Sequence, residues 1–493
     1  MAKIELSPEV SKYLESSPKM TIGGRPADAA SGAAFEVRDP STGSVVCEVP
    51  RGGQEDIDIA VTAAKEAVDD RRWSGLRPGK RTEVLYKLAD LIKRNMTELS
   101  QLESLDAGKP INIASGEVWA AADVFRYYAG WPTKVFGETN PSAEEMFVYS
   151  LREPVGVCGG IIPWNFPLIM AAWKVAPALA FGNAIVLKPA EQTPLTAMRL
   201  GELALEAGVP EGIVNVVTGF GDEAGQALAQ HGEVDKIAFT GSTEVGRKIL
   251  HASEGNLKRV TLELGGKSPN IVFADANMRR ASKGSMFGIF LNSGQVCTAG
   301  SRILVESSIH DEFVSSLVDA TASMKLGPGL DDETGMGPVV SEQQLERVTG
   351  YIDIGKAEGA EVATGGERAT ELGDGYFVQP TIFTGVRNDM RIAQEEIFGP
   401  VAAVIEVADV DEAIAVANDT IYGLAAAVWT NDLTKAHKVA KGIKAGTVWI
   451  NGSGMVDPSV SFGGYKQSGF GRELGLHSME AYTEVKSVWV NLK

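Results

Sequence analysis

The run Ala184-Ile185-Val186-Leu187-Lys188-Pro189 reads as a short apolar strand stopped by a proline. A few residues on, Thr193-Pro194 reads as a helix start, with Thr193 as cap and proline in the first turn. The same alternation spreads outward from this unit. Before it, Val155 to Ile162 is a buried strand interrupted by Gly159 and Gly160. After it come Ile213 to Val217 as strand, Asp222 to Gln230 as helix and Lys236 to Phe239 as strand. Ser242 to about Ala252 follows as helix and Val260 to Leu264 as strand. Strands that alternate with helices are parallel strands joined by crossovers, so the segment predicts a doubly wound, nucleotide-type α/β domain.

Beyond Gly266 the pattern restarts, with Asn270 to Phe273 as strand and Ala276 to Asn292 as helix. Arg302 to Glu306 as strand and His310 to Met324 as helix continue a second α/β domain that runs to about Gly464. Upstream of the first domain, Asp56 to Val68 repeats apolar residues at helical spacing with Asp56 as a cap, and Arg81 to Leu105 reads as one long helix. Ser142 to Leu151 and Tyr482 to Leu492 fit neither alternation. In the latter, Val488, Val490 and Leu492 alternate with Trp489 and Asn491, as on a half-buried strand whose edge could pair with another subunit or fold back on its own chain.

The composition narrows the function. At 493 residues the chain exceeds one ordinary core. It is 44% hydrophobic and 22% charged, a globular profile. A net charge of −18 argues against a nucleic-acid partner, which would need clustered Lys and Arg. Cys47, Cys158 and Cys297 lack metal-ligand spacing and suit a reducing, cytoplasmic setting rather than a disulfide framework. The first twenty residues show no signal peptide, and no run of about eighteen apolar residues suggests a membrane span. No metal, nucleic acid or membrane is expected.

Cys297 stands out. It lies in Gly294-Gln295-Val296-Cys297-Thr298-Ala299-Gly300, among small residues that leave a thiol open to a substrate rather than packed as a small hydrophobe. Pro163-Trp164-Asn165-Phe166-Pro167 offers an amide donor, and Leu262-Glu263-Leu264-Gly265-Gly266 a carboxylate. A nucleophile, a donor and a base suffice for acyl-level chemistry at a carbonyl carbon.

Together with Lys188-Pro-Ala-Glu191, Phe239-Thr-Gly-Ser-Thr-Glu-Val-Gly246, Glu395-Glu-Ile-Phe-Gly-Pro400 and Phe462-Gly-Gly-Tyr-Lys-Gln-Ser-Gly469, these segments resemble the aldehyde dehydrogenase superfamily from about Val37 to Val488. The resemblance implies an atypical Rossmann-type parallel-sheet cofactor domain (1–131 and 152–264), a catalytic α/β domain (265–464) and a small β oligomerisation arm (132–151 and 465–493). It implies that Cys297 attacks an aldehyde, that the Asn165 amide and the Cys297 N–H meet the charge on oxygen, and that a hydride leaves for a nicotinamide. Glu263 would then activate the water that cleaves the thioester. Members that acylate coenzyme A lack that carboxylate, so Glu263 implies a free acid as product. Glu473, in Gly-Arg-Glu-Leu-Gly, matches a position that can assist proton relay or simply form an ion pair.

The usual dinucleotide fingerprint is missing, since Gly219, Gly221 and Gly225 are spaced one residue too far. The resemblance instead places the pyrophosphate at Ser242 and neighbouring N–H groups of a helix start. Lys188 and Glu191 would hold the adenosine ribose, the carboxylate repelling a 2′-phosphate so that NAD is preferred over NADP. Glu396 and Phe398, with Gln344 and Arg347, match positions on the nicotinamide ribose side. Ile161, Trp164, Gly221, Gly225, Phe239, Gly241, Val245 and Leu264 complete the implied cofactor set. Phe166, Met170, Trp173, Leu291, Val296, Thr298, Val456 and Phe462 match the substrate tunnel. None is charged, which favours medium-chain aliphatic or aryl aldehydes over a carboxylated semialdehyde or a betaine-type aldehyde. A cytoplasmic homo-oligomer is expected, a dimer or a dimer of dimers (a homotetramer). A non-catalytic NAD-binding scaffold and a thiol esterase are the rival readings.

Overall fold

The computed structural model describes residues 4–493 and builds two large sheets that flank the site. The first contains the predicted parallel strands β1 (Val157–Ile161), β2 (Ala184–Lys188), β3 (Val214–Val216), β4 (Lys236–Thr240) and β5 (Arg259–Glu263). In space they run β5-β4-β1-β2-β3, with Gly469–Phe470 antiparallel outside β5 and Met20–Ile22 antiparallel outside β3. The chain therefore winds from β1 out to β3, then crosses back to place β4 and β5 on the other side of β1. The order reverses between β1 and β4, and a crevice opens beyond the carboxyl ends of strands at such a point. Helices α1 (Pro167–Ala180), α2 (Leu195–Ala207) and α3 (Thr243–Ala252) connect these strands. Every residue of β1, β2, β3 and β4 is buried, as a sheet covered on both faces requires.

The second sheet runs Glu361–Thr364, Thr381–Thr384, Val401–Val407, Arg302–Glu306, Pro269–Val272, Ala425–Trp429, Thr447–Ile450. It is parallel except for its first pair, and two apolar cores form around it. The α/β fold class expected from the alternation is what the chain adopts.

Several local expectations need correction. The helix expected over 81–105 is two helices, Pro78–Arg94 and Met96–Ala107. Asn95 leaves helical geometry and its side chain bonds the Leu91 carbonyl at 2.8 Å, the local competition that disfavours asparagine inside helices. Asp56 is the third residue of Gln54–Asp69, and its carboxylate accepts the Gly53 N–H at 2.9 Å instead of standing at the cap. Thr193 does not cap α2; its hydroxyl donates to the Trp164 carbonyl, and buried Asp106 takes the Leu195 N–H at 3.1 Å. The arm pairs Thr483–Asn491 antiparallel with Met146–Pro154 of the same chain. One edge of Thr483–Asn491 stays open among the described residues. Of the stretch 465–493 assigned to the arm, Gly469–Phe470 instead pairs with β5, beside Glu263. No helix of the described residues is long and apolar enough to cross a membrane.

Candidate active site

Cys297 follows a strained turn. Asn292, Ser293 and Gly294 all have positive φ, 49°, 57° and 73°. Such backbone persists only where its surroundings impose it. Gly294 packs so closely that a Cβ would fall 2.0 Å from the Gly399 carbonyl oxygen. The Asn292 amide donates to the Asn165 carbonyl at 2.9 Å, and the Asn165 amide donates to the Gln295 carbonyl at 2.8 Å. Gln295 is tied in turn to the Val340 N–H and the Asn292 carbonyl. The turn and the Pro-Trp-Asn-Phe-Pro segment thus lock each other, with Asn165 two residues from Cys297 along the bonded path.

Glycines bring the third segment in. A Cβ on Gly266 would lie 2.4 Å from the Cys297 carbonyl oxygen, and one on Gly265 would lie 2.2 Å from a Glu396 carboxylate oxygen. Only bare backbone lets β5, the thiol turn and Glu396 converge. Burial first, then the nearby Glu396 and Glu263 carboxylates, push the Cys297 thiol up to about 12, while N–H groups of Cys297 and Thr298 pull the other way. Glu396, pushed up to about 7 by burial, accepts the Gly266 N–H at 2.9 Å.

Glu263 closes β5, is 4% exposed, and neither of its carboxylate oxygens has a protein partner. Burial and the Glu473 charge hold its pKa well above the carboxylate range, against Lys174 and Arg472. Glu473 forms the ion pair that is one of its two expected roles, with a lysine and out of water. It is buried and accepts the Lys174 ammonium at 2.6 Å, and Lys174 also donates to Thr240 at 2.7 Å. The sequence reading missed Lys174, although a lone lysine inside the apolar run of α1 is a signal for a buried charge.

On the crevice side, Lys188 ends β2 and pairs with Glu191 at 3.2 Å. Burial lowers the lysine's pKa and Glu191 partly restores it. Ser242 caps α3, its oxygen accepting the Val245 N–H at 3.2 Å. A Cβ on Gly246 would meet Leu264 at 2.6 Å, so α3 sits tightly on the strand end. Ile161 and Phe239 are register partners on β1 and β4, and Gly241 N–H bonds the Glu263 carbonyl. Gly221 to Gly225 form a wide π-type turn, which accounts for the off-register glycines. Trp164 meets Phe398 edge-on at 5.2 Å, and Phe398 itself has φ 61°. Gln344 and Arg347 bond the carbonyls of Phe398 and Ile397, so they hold the 396–398 loop.

Of the tunnel residues, Trp173 and Phe462 contact edge-to-face at 5.1 Å, and Met170 lies one turn before Trp173 on α1. Phe166 precedes α1, with the buried Lys109 ammonium 4.6 Å from its ring centroid. Leu291, Val296 and Thr298 flank the thiol turn, half-buried, whereas Val456 is exposed on the loop before Phe462.

This arrangement sets a thiol, a buried unpaired carboxylate and an amide beside a nucleotide-type crevice. A model of the aldehyde dehydrogenase family matches residues 27–488. The chain belongs to the aldehyde dehydrogenase family. It is 50% identical to human mitochondrial aldehyde dehydrogenase over 94% of this chain and 90% of that one. Among solved structures, an NAD+ complex of a Bacillus cereus aldehyde dehydrogenase superposes with TM-score 0.98 at 50% identity, covering both chains in full. A Staphylococcus aureus betaine aldehyde dehydrogenase in complex with NAD+ superposes with TM-score 0.96 at 42% identity, covering 98% of this chain and 96% of that one. As a family member, this aldehyde dehydrogenase is an oxidoreductase that acts on aldehydes.

Proposed function

We propose that this chain oxidises aldehydes to free carboxylic acids with NAD, through a thioester on Cys297. The observation that carries this reading is Glu263, a buried carboxyl without a protein partner at the end of the strand that leads into Gly266, which packs against Cys297. A buried polar group left unpaired costs about 1–3 kcal/mol, more if charged, and such groups cluster where chemistry uses them.

The crevice fits a dinucleotide. The capped N-terminus of α3, with Ser242 and Val245, suits the pyrophosphate, and Lys188 with Glu191 suits a ribose. Trp164, Phe398 and Glu396 border the nicotinamide side. The Glu191 carboxylate disfavours a 2′-phosphate, hence NAD over NADP. When bound, the nicotinamide supplies the hydride acceptor. Cys297 gives up its proton to water as its sulfur adds to the carbonyl carbon, and the second N–H of Asn165 and the Cys297 N–H are the donors for the developing oxyanion. Glu263 takes a proton from the water that adds to the thioester, the C–S bond breaks, and the pair returns to sulfur.

The wall of Phe166, Met170, Trp173 and Phe462 carries no charge, and we read it as fitted to medium-chain aliphatic or aryl aldehydes. The Trp173–Phe462 pair also gives a betaine-type aldehyde two aromatic faces, which is the second reading. The reduced, unpaired cysteines keep a cytoplasmic location as our reading, although the human relative is mitochondrial. Exposed Phe147, Val485, Trp489 and Leu492 on the arm, beside its open edge, support a dimer or a dimer of dimers.

Absorbance at 340 nm with hexanal, phenylacetaldehyde, betaine aldehyde and succinate semialdehyde tests this, with NAD and NADP in parallel. Signal with NAD and the two apolar aldehydes is expected, and none from Cys297→Ala, about 10⁴-fold down or more. A preference for betaine aldehyde selects the second reading, and full activity of Cys297→Ala ends both.

A further inference from the structure

Asn165 stands just before α1, so the start of that helix helps to set where its amide points. The Gln295 carbonyl takes one of its N–H groups, which leaves the other for a substrate oxygen. The helix has no side-chain cap of its own: Phe166 occupies the cap position and Pro167 opens the first turn. Its start is held from outside, by a buried charge cluster that the reaction above does not use.

The cluster lies where the helices Met96–Ala107 and Ile111–Ala129 meet. Lys109 sits in the short link between them, fully buried, and its ammonium donates to two buried carboxylates, Glu103 at 3.1 Å and Glu117. Burial works against the charge on Lys109, but Glu117 and then Glu103 outweigh it and hold its pKa above the ordinary lysine value. The Glu117 carboxylate also accepts the Ile169 N–H at 3.4 Å, one of the first N–H groups of α1, which have no partner within the helix. A carboxylate there meets the positive end of the helix dipole. Glu103 accepts the Thr196 hydroxyl at 2.8 Å, in the first turn of α2. The Lys109 ammonium itself lies against the ring of Phe166, the residue next to Asn165.

The same link reaches the thiol side. Gly337 lies so close to the Gly108 carbonyl oxygen that a Cβ on it would overlap that atom. The Gly337 carbonyl in turn accepts the Ser293 hydroxyl at 2.7 Å, inside the strained turn that leads to Cys297. Gly108 and Lys109 therefore bear on Asn165 through Phe166 and α1, and on Cys297 through Gly337 and Ser293.

We propose that Lys109, held by Glu117 and Glu103, is a positioning residue of the oxyanion site. It seats Phe166 and the first turn of α1 so that the free N–H of Asn165 faces the oxygen of an aldehyde at Cys297. The inference rests on the reading of Asn165 as an oxyanion donor. Lys109 touches neither substrate nor the reacting atoms and acts through Asn165. Replacing a buried ion pair with apolar groups of similar volume often leaves stability unchanged, so the contribution of this cluster belongs to geometry. A misplacement of about 1 Å costs on the order of 10²-fold in rate. The ceiling is the worth of the donor itself, about 10²–10³-fold.

Single-turnover reactions at saturating NAD with a limiting aldehyde, followed at 340 nm, read hydride transfer. A double-mutant cycle with Asn165→Ala then separates positioning of the amide from general damage. Asn165→Ala alone is expected to slow hydride transfer by about 10²–10³-fold. Lys109→Met is expected to slow it by about 10–10²-fold. Where Asn165 is already alanine, the same change should cost less than about threefold, because the two residues act as one unit. An equal loss in both backgrounds would mean that Lys109 acts on the fold at large, and a wild-type rate in Lys109→Met would mean that the amide does not depend on it. Either result overturns the proposal. If Lys109→Met does not fold, the triple variant Lys109→Met, Glu103→Gln, Glu117→Gln, which is neutral and keeps acceptors for Thr196 and Ile169, goes through the same cycle and is judged by the same outcomes. A wild-type rate in Asn165→Ala instead overturns the parent reading of the site.

Discussion

Two carboxyls, Glu263 and Glu396, act on the Cys297 thiol and differ in how they are held. Glu396 is tied down: it accepts the Gly266 N–H, and Gln344 and Arg347 pin the carbonyls of the residues that follow it. Glu263 is the more deeply buried of the two, yet its two oxygens meet no donor. A carboxyl whose bonds are satisfied defines a shape, while one left unpaired in a low-dielectric site changes protonation whenever its surroundings change. On the proposed function, the contrast gives Glu396 a positioning role and Glu263 the proton chemistry.

The largest expected effect tests that division at Glu263. Glu263→Gln should slow deacylation by about 10²–10⁴-fold, the usual span for loss of a general base, and should accumulate a thioester detectable as added mass on Cys297. Glu396→Gln should instead raise the KM for NAD more than it lowers the rate of thioester hydrolysis. Equal losses of deacylation in the two variants would erase the distinction.

Gly266→Ala probes what keeps the thiol turn against the segment that follows β5. Its Cβ would press on the Cys297 carbonyl oxygen, and a displacement of about 1 Å costs on the order of 10²-fold in kcat. Single-turnover rates should fall by that amount in the acylation step as well as in deacylation, unlike Glu263→Gln.

The smallest effect is one of stability. Glu396 is raised from an ordinary 4.5 to about 7. Below pH 4.5 it is protonated in both folded and unfolded chains and costs nothing. As pH rises toward 7 the unfolded chain ionises it first, so native stability falls, by about 3 kcal/mol in all at about 1.4 kcal/mol per unit. Glu396→Gln removes this penalty. Its melting temperature should exceed that of the wild type at pH 8, with the gap closing toward pH 4.5. A gap that widens on acidification would mean the carboxyl is stabilised as an anion.

Much of this was legible in the chain. The apolar runs separated by prolines and glycines located the five parallel strands of the first sheet to within a residue or two, because β1, β2 and β3, covered on both faces, read as near-continuous apolar runs. Cys297, Asn165 and Glu263 stood out by their neighbours. What stayed hidden depended on distance through space. Asn95 breaks a pattern that looked continuous. Thr193 finds a better partner in the Trp164 carbonyl than in a cap. Gln344 and Arg347, matched to the cofactor, have their side chains engaged by a loop fifty or more residues away. Lys174 left a trace as a lone lysine in an apolar run, whereas only the fold shows that Lys236 does not reach water.

Segments made well after the thiol turn are also those that pack around Glu263. Gly469–Phe470 is laid beside Glu263, Glu473 joins Lys174, and Thr483–Asn491 pairs with a strand more than three hundred residues earlier. During synthesis at roughly 5–20 residues per second, the thiol turn therefore leaves the ribosome many seconds before its basic machinery can assemble around it. Until Gly469–Phe470 and Glu473 have been made, Glu263 lacks the strand beside it and the buried Glu473–Lys174 pair that raises its pKa has not formed.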